Sequence, residues 1–450
     1  MSKNAKQKAN LQLAVINYHS AAIDVGSMMM MVSYTDKEGN QCLLEVDSFT
    51  ESLYKLAQTL KDAGIKQVAM EATGVYWIAL YELLEQEGLK VTLVNPSHFK
   101  NVDAQKTDVK DCQWLHQLHV HGLLRASHIA PEIYRELRSY LHERNTLQNK
   151  KSDTLNRIQR ILTQMNIKVQ HLISDIEGVS GMRLLRAIAN GKSKPEELIS
   201  LINVKMLKAS EEELLKSLKG VYKEHFIIIL GNLLKSYDFY KEQMRNYELL
   251  IEGLLKKMLP EDKNGNKPLI KAKTSHVRKN QYSFNLKLYL HHIAGIDLTK
   301  ISGLDEITIL EIISVVGLDL KKWPTSEHFT SWLNLSPRLK KTGGKIVGYS
   351  KRFTNNKATQ AFRMSAQTMW QNKGALGQLY RRLAAQKGSK KAIKAVARKL
   401  AVIFYHMLKN QTEFDPNRFA IDEEKQKARK IARLQKEAAK FGLILQNEAA

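Results

Sequence analysis

AAIDVGSMMMMVSYTDKEGNQCLLEVDSF, residues 21–49, is the stretch that decides the fold of the N-terminal region. It holds three short β-prone runs, AAIDV, MMMMVSY and CLLEVDSF, and DKEGN parts the second from the third with turn-forming residues. Short runs joined by tight loops predict an antiparallel meander. Next comes ESLYKLAQTLKDAG, where Leu53, Leu56 and Leu60 fall on one face of a helix and Gly64 sits where a C-terminal cap belongs. QVAME then reads as a strand, VYWIALYELLEQEG as a helix and KVTLV as a strand. Three strands, a helix, a strand, a helix and a strand is the order of an α/β, ribonuclease-H-like domain. Order alone does not select a function, so the residues at the strand ends must.

Asp24 closes AAID on the first of these strands, and Glu71 closes QVAM on the fourth, where Gly74 permits a tight turn into the next helix. An acid on an interior strand is costly unless it is paired or bound to a metal. Asp108 and Asp111 follow in KTDVKDCQWLHQL, with Thr107 as a helix N-cap. Their spacing of three places both on one helix face, roughly 5–6 Å apart at Cβ. Converging carboxylates are the hard oxygen donors that magnesium prefers. Two such ions about 4 Å apart can clamp the attacking and leaving oxygens of a phosphodiester displacement. Against this stands a plain reading in which Asp108 and Asp111 accompany Lys106 and Lys110 on a solvated helix. For that pair alone the plain reading is the better one; the set of four favours a metal site.

Lys and Arg number 70 against 45 Asp and Glu, a net charge of +25 that favours a polyanionic partner, DNA or RNA. A membrane is a poor alternative, because the most apolar run, Phe226–Leu234, falls far short of the roughly 20 residues a span requires. The N-terminus is basic and polar without a secretory pattern, so the expected location is the cytoplasm. Cys42 and Cys112 are too few for a disulfide framework and read as ordinary small apolar residues. With 450 residues, 43% of them hydrophobic, the chain has material for several domains.

The expected organisation is a metal-binding catalytic domain over 1–130, a long helical or coiled-coil region over 131–283, a mainly α C-terminal domain over 284–415 and a charged helical tail over 416–450. The middle region carries apolar positions at helical spacing, such as Leu155, Ile158 and Leu162, and would separate or pair the flanking domains, with a homo-oligomer as one outcome. The polar stretch EDKNGNKPLIKAKTSHVRKNQYS reads as an interdomain connection. Beyond it, turns at Gly295 and Gly303 either present backbone N–H groups to phosphate or serve as ordinary packing turns between helices. In SPRLKKTGGKIVGYSKRFTNN, the cations Arg338, Lys340, Lys341, Lys345, Lys351 and Arg352 surround three glycines, a composition suited to close approach to a nucleic-acid backbone. KKAIKAVARKLAVIFYHMLK predicts a helix with a core face through Ile393, Val396, Leu400 and Ile403 and cations at Lys390, Lys394 and Arg398.

Taken together, AAIDVGS, MEATGVYW, VNPSHFK and KTDVKDCQWLHQL resemble the N-terminal, RuvC-like domain of the DEDD insertion-sequence transposases, the recombinases guided by a bridge RNA, with the Piv DNA invertases as relatives. The resemblance resumes from His291 to Lys409, where FTSWLNLSPR, TGGK and GYSKR look like the family's glycine-rich loop and its flanks. It implies magnesium at the four acids, DNA cleavage and strand exchange, a structured guide RNA, and a nucleophilic serine just before the first glycine of that loop. Here that residue is Thr342, which keeps the hydroxyl but adds a methyl group and restricts χ1. Ser336 and Ser350 are the nearby hydroxyl alternatives. Two other functions remain open: a magnesium-dependent nuclease of the Holliday-junction type, in which water attacks, and a catalytically silent nucleic-acid-binding protein.

Overall fold

The computed structural model describes residues 13–96, 108–202, 209–261, 265, 267–271, 280–337, 339–349 and 356–415, with 428, 431, 432, 434, 435 and 437–443 of the tail; the side chains of Asp108 and Tyr349 fall outside the description. The chain divides into two compact units, Met1–Ile129 and Ala130–Ala450.

The first unit is built on a five-stranded sheet. Strands β1 (Ser20–Val25), β2 (Met29–Thr35) and β3 (Gln41–Asp47) form the expected antiparallel meander. Helix α1 (Thr50–Asp62) follows, ended by Gly64 at φ +76°. Strand β4 (Gln67–Glu71) then pairs parallel to β1, helix α2 (Trp77–Gln86) crosses over, and β5 (Lys90–Val94) pairs parallel to β4. The spatial order is β3-β2-β1-β4-β5. This mixed sheet is compatible with the ribonuclease-H-like fold that the element order implied. Side chains alternate along each strand, so the sheet has two distinct faces. Ala21, Ile23, Val25, Val68 and Met70 pack with Leu53, Leu56, Leu60, Leu80 and Leu84 of α1 and α2. Ala22, Ala69 and Val94 look the other way, onto Leu115 of helix α3 (Asp108–Val120).

Among the described residues the second unit is helical apart from one hairpin. Helix α4 (Glu132–Gln164) leads to α5 (Val179–Ala189), α6 (Pro195–Ile199) and α7 (Glu211–Leu218), and α8 (Glu224–Met258) returns alongside α4. The two long helices are antiparallel. Leu155, Ile158 and Leu162 of α4 share a core with Leu230, Leu233 and Tyr237 of α8, whereas Leu137 and Leu141 meet Ile251, Leu254 and Leu255 in the C-terminal core. Between these cores Arg144 makes a buried pair with Glu248 at 2.7 Å. Such a pair adds little net stability, yet removing one partner strands the other charge. The C-terminal core gathers α9 (Leu286–Ala294), α10 (Glu306–Val316), α11 (Ser326–Trp332), α12 (Lys357–Thr368), α13 (Ala375–Lys387) and α14 (Ser389–Asn410). Between α11 and α12 stand β6 (Leu339–Thr342) and β7 (Lys345–Tyr349). Among the described residues no helix is long and apolar enough to cross a membrane.

Candidate active site

Asp24 and Glu71 stand at the C-terminal ends of neighbouring parallel strands. The register pairs Ile23 with Met70, so the next residue on each strand is an acid. By the alternation of the strands, Asp24 shares a face with Ala22 and Glu71 with Ala69, and that is the face covered by α3. Glu71 is only 3% exposed and accepts a hydrogen bond from the Thr73 hydroxyl at 2.8 Å; Asp24 is half-buried. The chain must turn immediately after Asp24 and Val25. Gly26 allows this, because a Cβ there would lie 2.2 Å from the Met29 carbonyl oxygen. Gly74 likewise takes φ +53° between β4 and α2.

Asp108 opens α3 and Asp111 follows within its first turn, half-buried. The expected N-cap, Thr107, and the Asp108 side chain lie outside the described residues. Among the described residues no three His, Cys, Asp or Glu side chains converge closely enough to cage an ion. The donor set itself fits a hard divalent cation, being all carboxylate oxygen from two adjacent strand ends and the first turn of the helix that covers them.

Helix α3 is tied to the sheet by polar contacts that the sequence reading missed. The Cys112 thiol lies 3.4 Å from the Ala22 carbonyl and 3.1 Å from that of Met31. The His116 ring contacts the Ser20 carbonyl through Nε2 at 2.8 Å and the Ser33 hydroxyl through Nδ1 at 3.0 Å. Burial pushes the Cys112 thiol up to about 12, with the charge of Asp24 adding to the effect, so the thiol stays protonated. Burial also lowers His116. His119 is held down to about 4 by burial first, then by His116 and Lys90. Cys112 is buried, as a small apolar residue would be, but its thiol also donates. The available signal was the interval of four that links Asp108, Cys112 and His116 on one helix face.

In the second unit, Thr342 is the last residue of β6 and pairs with Lys345 across Gly343 and Gly344, which take φ +53° and +76°. Two positive-φ residues between paired strands make a type I′ hairpin turn, so the glycine-rich loop that the resemblance implies is the turn of a hairpin here. Thr342, Lys340, Lys341 and Lys345 are all exposed. Paired positions point to the same face of a ribbon, which sets the Lys345 side chain beside that of Thr342. Of the alternative hydroxyls, Ser336 is half-buried and bonded to the Thr330 hydroxyl at 3.0 Å. Ser350, Arg338, Lys351 and Arg352 lie outside the described residues.

The two glycine turns are packing turns. A Cβ at Gly303 would lie 2.4 Å from the Met369 methyl carbon, and one at Gly295 would lie 2.6 Å from Gln411 Oε1. On α14, Val396, Leu400 and Ile403 are buried, Lys390 and Lys394 are exposed, and Arg398 is half-buried.

A transposase family model of the DEDD, IS110 type matches residues 21–167, and the model of the transposase IS116/IS110/IS902 family matches residues 297–381. The first match takes in all four acids and the second takes in the Thr342 hairpin. No curated protein matches the chain.

Proposed function

The chain belongs to the IS110 family of DEDD transposases, and from that premise we propose that it cuts and exchanges DNA strands for an insertion sequence through a protein hydroxyl. The observation that carries the reading is the pair of acids, Asp24 and Glu71, on adjacent parallel strand ends beneath α3. Asp24, Glu71, Asp108 and Asp111 would hold magnesium. When bound, magnesium supplies Lewis acidity at the scissile phosphate.

The attacking group is the Thr342 hydroxyl. Its oxygen forms a bond to phosphorus while the bond from phosphorus to a DNA oxygen breaks. The hydroxyl proton passes to a general base, and the departing DNA oxygen takes up a proton. The product is a phosphodiester between Thr342 and one DNA strand, which a DNA hydroxyl reverses on religation without an external energy source. Lys345, beside Thr342, and Lys340 and Lys341 on the same hairpin offset phosphate charge. A structured guide RNA is the proposed second partner, and the charge of +25 suits a complex with two polyanions. The paired α4 and α8 are proposed as a coiled-coil-like spacer or a homo-oligomer contact, and the cytoplasm as the site of action.

The test incubates the full-length protein with magnesium, the DNA flanking its own element and any co-purifying RNA, then looks for DNA that stays attached to protein under denaturing conditions. Wild type should form the adduct and Thr342→Ala should not. Cutting by wild type without any adduct would remove the hydroxyl mechanism in favour of water attack. DNA binding with no magnesium-dependent cutting would leave a silent binder.

A further inference from the structure

Four helical residues rise about 6 Å, and two strand residues advance about 6.6 Å. A helix laid antiparallel on a strand can therefore keep step with it, four residues to two. Helix α3 does this on β1: Cys112 meets the Ala22 carbonyl and His116 meets the Ser20 carbonyl. Near the far end of the helix, the backbone N–H groups of Ile16 and Asn17 both donate to the Val120 carbonyl. The same step taken once toward the helix start brings residue 108 level with Asp24, with Asp111 in the same turn.

Apolar packing does little to hold that step. Beneath α3 the fully buried apolar contact consists of Ala22, Ala69, Val94 and Leu115, with Leu118 and Leu124 partly buried at its margin, and the two alanines give a sliding helix little relief to catch on. The polar contacts are directional. A carbonyl only accepts, so His116 Nε2 carries the proton toward Ser20. Nδ1 must then accept from the Ser33 hydroxyl, whose oxygen in turn accepts from Gln41 Nε2 at 3.2 Å. The relay fixes one donor direction at every link and spans β3, β2, α3 and β1. A shift of one helical residue moves the imidazole about 1.5 Å along and roughly 100° around the helix axis, which breaks it.

We propose that Cys112 and His116 are positioning residues that set the register of α3 and so hold Asp108 and Asp111 level with Asp24 and Glu71. The inference rests on the reading of the four acids as a metal site, and the test separates the two. Binding of manganese(II) is measured by calorimetry on the full-length protein at a temperature well below the melting point of each variant. Affinity for DNA without metal and the rate of magnesium-dependent cutting are measured in parallel.

Replacing a residue that orients metal ligands costs about 10- to 100-fold in metal affinity. His116→Leu is expected to lose that much while keeping its metal-free DNA affinity. His116→Gln, whose amide can restore one of the two hydrogen bonds, should recover part of the loss, and Cys112→Ala should show a smaller one. If His116→Leu does not fold, His116→Gln and Cys112→Ala decide the matter. Wild-type manganese affinity in the folded variants, together with its loss in Asp24→Asn, would overturn the positioning role and leave the metal site standing. Wild-type affinity in Asp24→Asn as well would overturn the metal site and the positioning role with it.

Discussion

The acids at the ends of β1 and β4 and the hydroxyl at the tip of the β6–β7 hairpin are presented in opposite ways. Asp24 and Glu71 sit on strands whose neighbours on both sides are paired and whose faces are covered by helices. Thr342 ends one strand of a two-stranded ribbon on which Ile346 and Val347 are 56% and 64% exposed. An isolated ribbon of two strands is marginal in water. Under the proposed function the difference suits each region to a separate task. Carboxylates that repel one another must be held by structure that is already paid for, whereas a nucleophile that enters a bond with DNA can take its final position from the substrate.

Three measurements would break or sharpen this contrast. The largest effect is expected at the strand ends: Asp24→Asn or Glu71→Gln should lower magnesium-dependent cutting by about three orders of magnitude, the scale seen when a transition-state charge contact is lost. DNA binding should survive, and a loss of less than tenfold in a rate assay would remove these acids from the chemistry.

A second effect concerns stability and follows from His119, whose folded value of about 4 lies below its ordinary 6.5. Between those values the unfolded chain binds a proton that the folded chain refuses. The stabilising contribution is therefore full above pH 6.5 and disappears as pH falls toward 4, an amount of about 3 kcal/mol. Thermal unfolding across that range should show the loss, and His119→Leu should flatten it. An unchanged slope in that variant would assign the acid sensitivity to other groups.

The smallest effect belongs to the hairpin. Gly344→Ala places a Cβ at φ +76°, where an L-residue is strained by about 1–2 kcal/mol. Adduct formation should slow about tenfold, since 1.4 kcal/mol is a factor of ten, while the melting temperature hardly moves. Unchanged adduct formation would show that the turn does not present Thr342.

The strand ends were legible in the sequence because the pattern is local. Asp24 and Glu71 each close an apolar run, and the strand period of two assigns them a face without knowledge of the partner strand. The hairpin was partly legible: the Gly343-Gly344 pair is itself a type I′ turn signal, yet the density of Lys and Gly suggests a loop. Cys112, His116, Ser33 and Gln41 were not recognised as a set. Each is unremarkable in its own segment, and the relay exists only once α3 lies on β1 in a particular register, which residues 112 and 33 do not announce separately. The glycine turns at Gly295 and Gly303 left two readings open because their meaning depended on Gln411 and Met369, distant in sequence.

The direction in which α3 runs has a consequence of its own. The helix begins at Asp108 and turns that beginning toward the ends of β1 and β4. The aligned peptide dipoles of a helix amount to about half a positive charge at its first turn, and a carboxylate placed there gains about 0.3–1 kcal/mol. In the proposed metal site the backbone of α3 would thus offset part of the mutual repulsion of the acids. The same helix laid in the reverse direction would bring its partial negative end to the same place, and an identical set of side chains would then gather with greater difficulty. The chain's polarity acts as a built-in counterion for the residues it crosses.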